Sequence, residues 1–251
     1  ESVNRVSQGL DYVSSDASKN FSWTLDNILS YNRAFGDHSV GVTLLQEASS
    51  DMSTTMYNQN GTGVALGWNQ KWWGLDAKSV ATPSDPKFNT LSEGTLASYM
   101  ARVNYSYKNK YVATVSYRYD GASQLGEGHK WAGFPSFSLA WRIDQENFMK
   151  NVTWVDMLKF KASFGQQGND NIGDWRYVDL YTLNASGDYS MSPSFYRKGN
   201  DAITWETTTN INLGLEFSLW RGRLNGTVDL YSKKVNNLLF SLNVPGSSGY
   251  S

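Results

Sequence analysis

Residues 207–219, TTTNINLGLEFSL, place Ile211, Leu213, Leu215, Phe217 and Leu219 on odd positions with polar or small residues between them. Strict alternation is the period of an extended strand, whose side chains point to opposite faces of a sheet; a helix would scatter the same apolar residues around its axis. The period recurs at about 20–32, 38–48, 96–108, 111–120, 131–143, 158–167, 205–219 and 224–234, so an all-β chain of about eight antiparallel strands is expected. Most of these runs reach ten residues. A globular strand has roughly 5–6 residues and a tilted membrane-spanning strand roughly 9–11, so length favours the latter.

The connections alternate as well. Segments 32–37 (NRAFGD), 108–110 (KNK) and 220–223 (WRGR) are tight turns, whereas 49–95, 121–130, 168–204 and the residues after 235 are long. Segment 186–204 is loop-like in composition, and 144–157 (DQENFMKNVTWVDM) predicts a short helix with Asp144 as its N-cap. In an up-and-down meander the short turns all fall at one end, the asymmetry of an outer-membrane barrel.

Charges follow the polar parity: Asp26, Glu47, Arg102, Arg118, Asp120, Arg142, Lys159, Lys161, Glu206, Glu216, Asp229 and Lys233 are expected on one face, and none on the other. Aromatics gather at both ends. Tyr31, Phe35, Tyr107, Tyr111, Trp141 and Trp220 lie beside the short turns, and Trp23, Tyr117, Tyr119, Trp131 and Trp205 near the long connections, as expected of two interfacial girdles. A soluble β-sandwich would show the same alternation with its apolar face as core, and stands as the alternative.

Composition excludes several classes. Lys plus Arg number 22 against 23 Asp plus Glu, so no overall field favours nucleic acid, and the absence of cysteine excludes disulfides and thiolate metal sites. No run suits a membrane helix, and the first residues, ESVNRVSQGL, do not read as a signal peptide.

Residues 116–151, SYRYDGASQLGEGHKWAGFPSFSLAWRIDQENFMKN, resemble the barrel of SusC/RagA-type TonB-dependent transporters: an R-Y-D-G strand and loop, a W-x-x-F-P-S-x-S-x-x-W-R-I strand, then a short E-x-F-M helix. Residues 155–174 (VDMLKFKASFGQQGNDNIGD) and 203–240 (ITWETTTNINLGLEFSLWRGRLNGTVDLYSKKVNNLLF) are similar to the family's next two blocks, in the same order. The resemblance implies an arc of a barrel of about 22 strands in the outer membrane of a Gram-negative bacterium. It further implies an N-terminal plug, energy from TonB, a SusD-like surface lipoprotein as lid, and import of oligosaccharides or peptides. Residues 1–251 are expected to be part of one such barrel domain, without the plug and the signal peptide. Arg102, Arg118, Asp120, Arg142, Glu206, Asn210, Asn212, Glu216 and Asp229 would then face the lumen, and Ile211, Leu213, Leu215, Phe217 and Leu219 outer-membrane lipid.

Catalytic and metal chemistry finds little footing. His38 and His129 lack partners at ligand spacing, 61–67 (GTGVALG) lacks the Lys-Ser/Thr of a phosphate loop, and 169–174 (NDNIGD) lacks the spacing of a calcium loop. Asp120 and Glu127 sit on a glycine-rich loop with no scaffold to fix a glycosidase separation. The expectation is therefore no enzyme, no metal and no cofactor. Trp68, Trp72 and Trp73 in a polar connection are candidate contacts for substrate or lid, because an exposed ring stacks on a sugar or on an apolar patch. Trp175, Tyr177, Tyr196 and Arg197 are further candidates. In the alternative, Trp72 and Trp73 would be the sugar platform of a secreted β-sandwich carbohydrate-binding module.

Overall fold

The computed structural model describes residues 11–64, 90–186 and 190–240, with side chains over 17–56, 91–181 and 197–240. Ten strands follow in order: β1 (Asp11–Phe35), β2 (His38–Val64), β3 (Thr90–Tyr107), β4 (Tyr111–Ala122), β5 (Trp131–Arg142), β6 (Val155–Asn169), β7 (Leu180–Ser186), β8 (Ser190–Arg197), β9 (Glu206–Leu219) and β10 (Leu224–Asn236). Eight form one sheet in the order β1-β2-β3-β4-β5-β6-β9-β10, and β7 and β8 pair with each other. The sheet is an unclosed antiparallel meander, and the β7–β8 hairpin is inserted in the chain between its neighbouring strands β6 and β9.

All eight expected strands are present, several of them longer than expected. β1, β2 and β3 have 25, 27 and 18 residues, so β2 and β3 run into the segment expected to be a long loop. The loop-like segment 186–204 instead supplies β8. A two-stranded hairpin is held by its backbone ladder and needs no continuous apolar face, so hydropathy carries no signal for it. The expected helix at 144–157 is absent: two 3-10 turns, Ile143–Gln145 and Asn147–Met149, stand there. Asp144 lies inside the first turn rather than capping it. Its carboxylate accepts from Arg142 Nη2 at 2.7 Å and from the Leu158 backbone N–H at 3.3 Å, which draws it away from the amides an N-cap must bind.

Register carries each face across the strands. Tyr105 pairs with Ala113, then Leu139, Ala162, Leu213 and Leu230, while Arg102 pairs with Ser116, then Ser136, Gly165, Asn210 and Lys233. One face is apolar and the other polar over the whole run. The apolar face is uncovered: Val115, Leu213 and Leu230 are 51%, 44% and 68% exposed. Among the described residues no second sheet packs on it, so the β-sandwich alternative finds no support there. The expectation that no charge falls on this face fails at Lys234, which pairs with Thr209 on the Leu230 side near the end of β10. Of the charged side chains, lysine with its long apolar stem is suited to such a position near a strand end.

Two close approaches lock the register of the apolar face. The Tyr117 ring lies where a side chain at Gly133 would project, and the Phe217 ring does the same at Gly226. An aromatic laid over a neighbouring glycine packs a sheet face that nothing else covers.

Contacts group the chain into two units, one of Glu1–Trp23 with Ser50–Glu93 and one of Thr24–Ser49 with Gly94–Ser251. In the first, Ser53 Oγ donates to Asn20 Oδ1 at 2.8 Å. The second holds the core and the features below.

Candidate functional site

The polar face is organised around Arg118 on β4. Its Nε donates to Asp120 Oδ1 at 2.7 Å, and its Nη2 to Glu47 Oε2 at 3.0 Å and to Ser98 Oγ at 2.8 Å. Alternation places Asp120 two residues on along the same face, and register sets Ser98 opposite it. One planar guanidinium thus ties side chains of β2, β3 and β4, a geometry that lysine's point charge would not reproduce. Further along, Ser116 and Ser136 hydroxyls meet at 2.6 Å, Thr114 Oγ1 donates to Asn104 Oδ1 at 2.9 Å, and Lys159 and Lys161 approach Glu216 at 3.7 and 3.5 Å. Glu206 accepts from Asn169 Nδ2 and the Leu239 backbone N–H, Asn212 donates to Ser163, and Asp229 Oδ1 fills the space beside Gly214. Arg102, Arg142 and Asn210 complete the set expected on this face. The result is a charged wall on which Arg118 and Glu216 gather ion pairs, while Arg102 Nη2 lies 4.0 Å from the Met100 sulfur.

Above the polar face, at the end of the long connections, sits a small core of Ala122, Leu125, Phe134 and Trp205. Phe134 and Trp205 meet edge to face at 5.5 Å, and Trp205 Nε1 donates to the Lys130 carbonyl at 2.9 Å. Trp205 is 4% exposed, which corrects its placement in an interfacial girdle: it precedes β9, and its ring turns into the core with its N–H satisfied. The others fit the bands better. Tyr119 and Tyr99 stack against Trp131 at one end, and Tyr107 against Tyr111 at the other.

The same end carries a platform. Trp175 is 58% exposed and holds φ at 59°, a left-handed conformation that is an outlier for a bulky side chain. Arg197 Nη2 donates to the Trp175 carbonyl at 2.8 Å, and Tyr177, 6.3 Å away ring to ring, rests against Gly126. Trp175, Tyr177 and Arg197 are therefore brought together. Trp68, Trp72 and Trp73 lie outside the described residues, as does the side chain of Tyr196. Among the described residues no group of His, Asp or Glu has metal-binding geometry. Asp120 is engaged by Arg118 rather than paired with Glu127.

Sequence reasoning missed two features. Asn27 and Gln46 stand on the apolar face and satisfy each other, Nδ2 to Oε1 at 2.6 Å; neither is charged, so a search by charge passes over them. Glu146, in the β5–β6 connection, gathers Lys110 Nζ at 2.6 Å, Tyr111 Oη at 2.5 Å and Trp141 Nε1 at 2.9 Å. Lys110, then the Tyr111 hydroxyl and the Trp141 indole, hold this carboxyl well below its ordinary 4.5, at about 2.

The comparisons agree with this geometry. A family model described as "TonB dependent receptor-like, beta-barrel" matches residues 2–251. TonB-dependent receptor P39 of Formosa agariphila is 34% identical over 90% of this chain and 21% of its own length. TonB-dependent receptor SusC of Bacteroides thetaiotaomicron is 34% identical over 77% of this chain and 20% of its own. The structure of the RagAB peptide transporter superposes with a TM-score of 0.83 at 24% identity, over 94% of this chain and 26% of the other, a likeness of fold. The chain thus spans about a fifth of the length of the curated relatives it matches. With the meander, its two unlike faces and a family match over nearly all residues, the chain belongs to the TonB-dependent receptor-like β-barrel family, whose members are receptors and transporters rather than enzymes.

Proposed function

We propose that this chain is an arc of the barrel wall of an outer-membrane importer driven through TonB. The observation that carries the reading is the sheet itself: an apolar face left open along eight strands, backed by a polar face that carries the charges, several of them in ion pairs. In water the open apolar face is a liability; in lipid it is the outside of a barrel. The polar face then lines the hydrated interior, so Arg102, Arg118, Asp120, Arg142, Glu206, Asn210, Asn212, Glu216 and Asp229 border the plug or the solute path. Ile211, Leu213, Leu215, Phe217 and Leu219 face lipid. Residues 1–251 form part of a single barrel domain of about 22 strands. The wall performs no bond chemistry.

Similarity to SusC and the fold of RagAB support a nutrient importer of oligosaccharides or peptides with a SusD-like lipoprotein as lid. Trp175, Tyr177 and Arg197, with Trp68, Trp72, Trp73 and Tyr196, are the residues proposed to meet substrate or lid. The test is to probe fractionated cells for residues 203–240 under denaturing conditions. A band several-fold heavier than 251 residues, in the outer membrane, is expected; a soluble band of this length refutes the reading. Uptake of labelled oligosaccharide and peptide in cells carrying Trp175→Ala then separates the substrate classes.

A further inference from the structure

We infer that the β9–β10 turn and the Trp154 segment beside it bind the phosphate of an anionic glycerophospholipid, in the leaflet that meets the short turns. The inference rests on the membrane reading above. Three carboxylates stand in the connections at this end and a fourth, Asp156, at the start of β6, and each is engaged: Asp37 with Lys108, Glu146 with Lys110, Asp144 with Arg142, and Asp156 with the Gly222 backbone N–H. Arg33, Lys150, Arg221 and Arg223 have no carboxylate partner among the described residues. The rim is left positive although the chain as a whole carries −1.

The turn is built so that its arginines are not spent on holding it. Trp220, Arg221 and Gly222 take left-handed φ values of 53°, 59° and 76° in succession. Three hydrogen bonds hold that shape: Trp220 N–H to the Trp154 carbonyl at 2.8 Å, Gly222 N–H to Asp156 Oδ2 at 2.9 Å, and Asn225 Nδ2 to the Gly222 carbonyl at 2.9 Å. A register irregularity between Val155 and Met157 frees Asp156 from the ladder to make its contact. Arg221 and Arg223 flank Gly222, exposed, and nothing stands within 4 Å of where a Gly222 side chain would project. The tip of the turn is thus open to solvent, with an exposed arginine on either side of Gly222 in the chain. Beside them, Trp154 and Trp220 are 51% and 52% exposed with rings 6.1 Å apart. Exposed indoles at the rim of an apolar band mark headgroup level, which sets the arginines at the depth of lipid phosphates. Arginine takes phosphate oxygens in paired hydrogen bonds, and the net positive charge of the rim favours an anionic headgroup over a zwitterionic one that presents the same phosphate.

The test uses the full-length receptor containing this chain, reconstituted in nanodiscs of phosphatidylcholine with phosphatidylglycerol, with retained lipid counted by native mass spectrometry. Phosphatidylglycerol should be retained over phosphatidylcholine. Arg221→Gln with Arg223→Gln should lower that retention by about 30-fold, at about fivefold per residue. Lys234→Gln, at the other end of β10, should leave it unchanged, and Arg221→Lys with Arg223→Lys, which keeps the charge, should preserve most of it. Undiminished retention in the Gln pair, or equal retention of the two lipids, overturns the inference while leaving the importer reading intact. Displacement by inorganic phosphate also overturns it, assigning the turn to free anion instead of lipid. A receptor that does not enter nanodiscs at all removes the membrane reading, and this inference with it.

Discussion

Replacing Leu213 with Arg tests which face meets lipid. Leu213 stands six residues before Leu219, the last residue of β9. At about 3.3 Å per residue and a tilt of about 40°, that puts it about 15 Å above the short-turn end, near the middle of an apolar band about 25 Å tall. Its register partners are Ala162 and Leu230, so an arginine there finds no polar neighbour. The expected cost is about 2–4 kcal/mol, or about 30- to 900-fold in the unfolding constant. Asn212, one residue away, pairs with Ser163 and Tyr231 on the polar face, and arginine there should cost under about 1 kcal/mol. Guanidinium unfolding of the intact receptor in lipid vesicles, followed by tryptophan emission, measures both variants. Equal costs, or a larger cost at Asn212, would refute the orientation of the sheet.

Three further outcomes are expected. Gly133→Val must displace the Tyr117 ring and should cost about 1–3 kcal/mol, whereas in a Tyr117→Ala background the same change should be nearly silent; additive effects in that double-mutant cycle would show that the ring does not lock the strand. Arg118→Met leaves Glu47 and Asp120 without their cation and should cost about 1–2 kcal/mol in the same unfolding assay, a buried-pair penalty discounted for a guanidinium about one-third exposed, and no loss would mean the network is only decorative. The Glu146 carboxyl is depressed, so its stabilisation is complete above its ordinary 4.5 and is lost as pH falls towards about 2. Acid titration of the Glu146→Gln receptor should lack that part of the slope between those values, and an unchanged slope would detach Glu146 from acid stability.

How much was legible depended on whether a residue's role is local. Alternation in 207–219 is local, and β9 appears within a residue of where it was expected, with Ile211 through Leu219 on one face. The short turns were legible for the same reason. β7 and β8 were not, since their pairing partner lies in a segment with no apolar rhythm. Asp144 illustrates a competition that sequence does not resolve: a cap signal and an ion-pair signal coincide, and the Leu158 amide, 14 residues on, tips the balance.

The candidate site divides in the same way. Parity alone assigned Arg118, Asp120 and Glu47 to a common face, because side chains of a strand alternate whatever the strand packs against. It could not say that one guanidinium gathers both carboxylates and Ser98, which needs the offset between three strands. Trp175, expected as a substrate or lid contact, and Trp205, expected in an interfacial girdle, were both placed at the surface, yet one ring is 58% exposed and the other 4%. The sequence by itself determined strand periodicity, the two chemical faces and the family, all properties of residues near one another along the chain. Only the tertiary structure decided which ions pair, which indole is core and which is exposed, and that the rim arginines stay free of carboxylates among the described residues, because each depends on residues that register and turns bring together from distant parts of the chain.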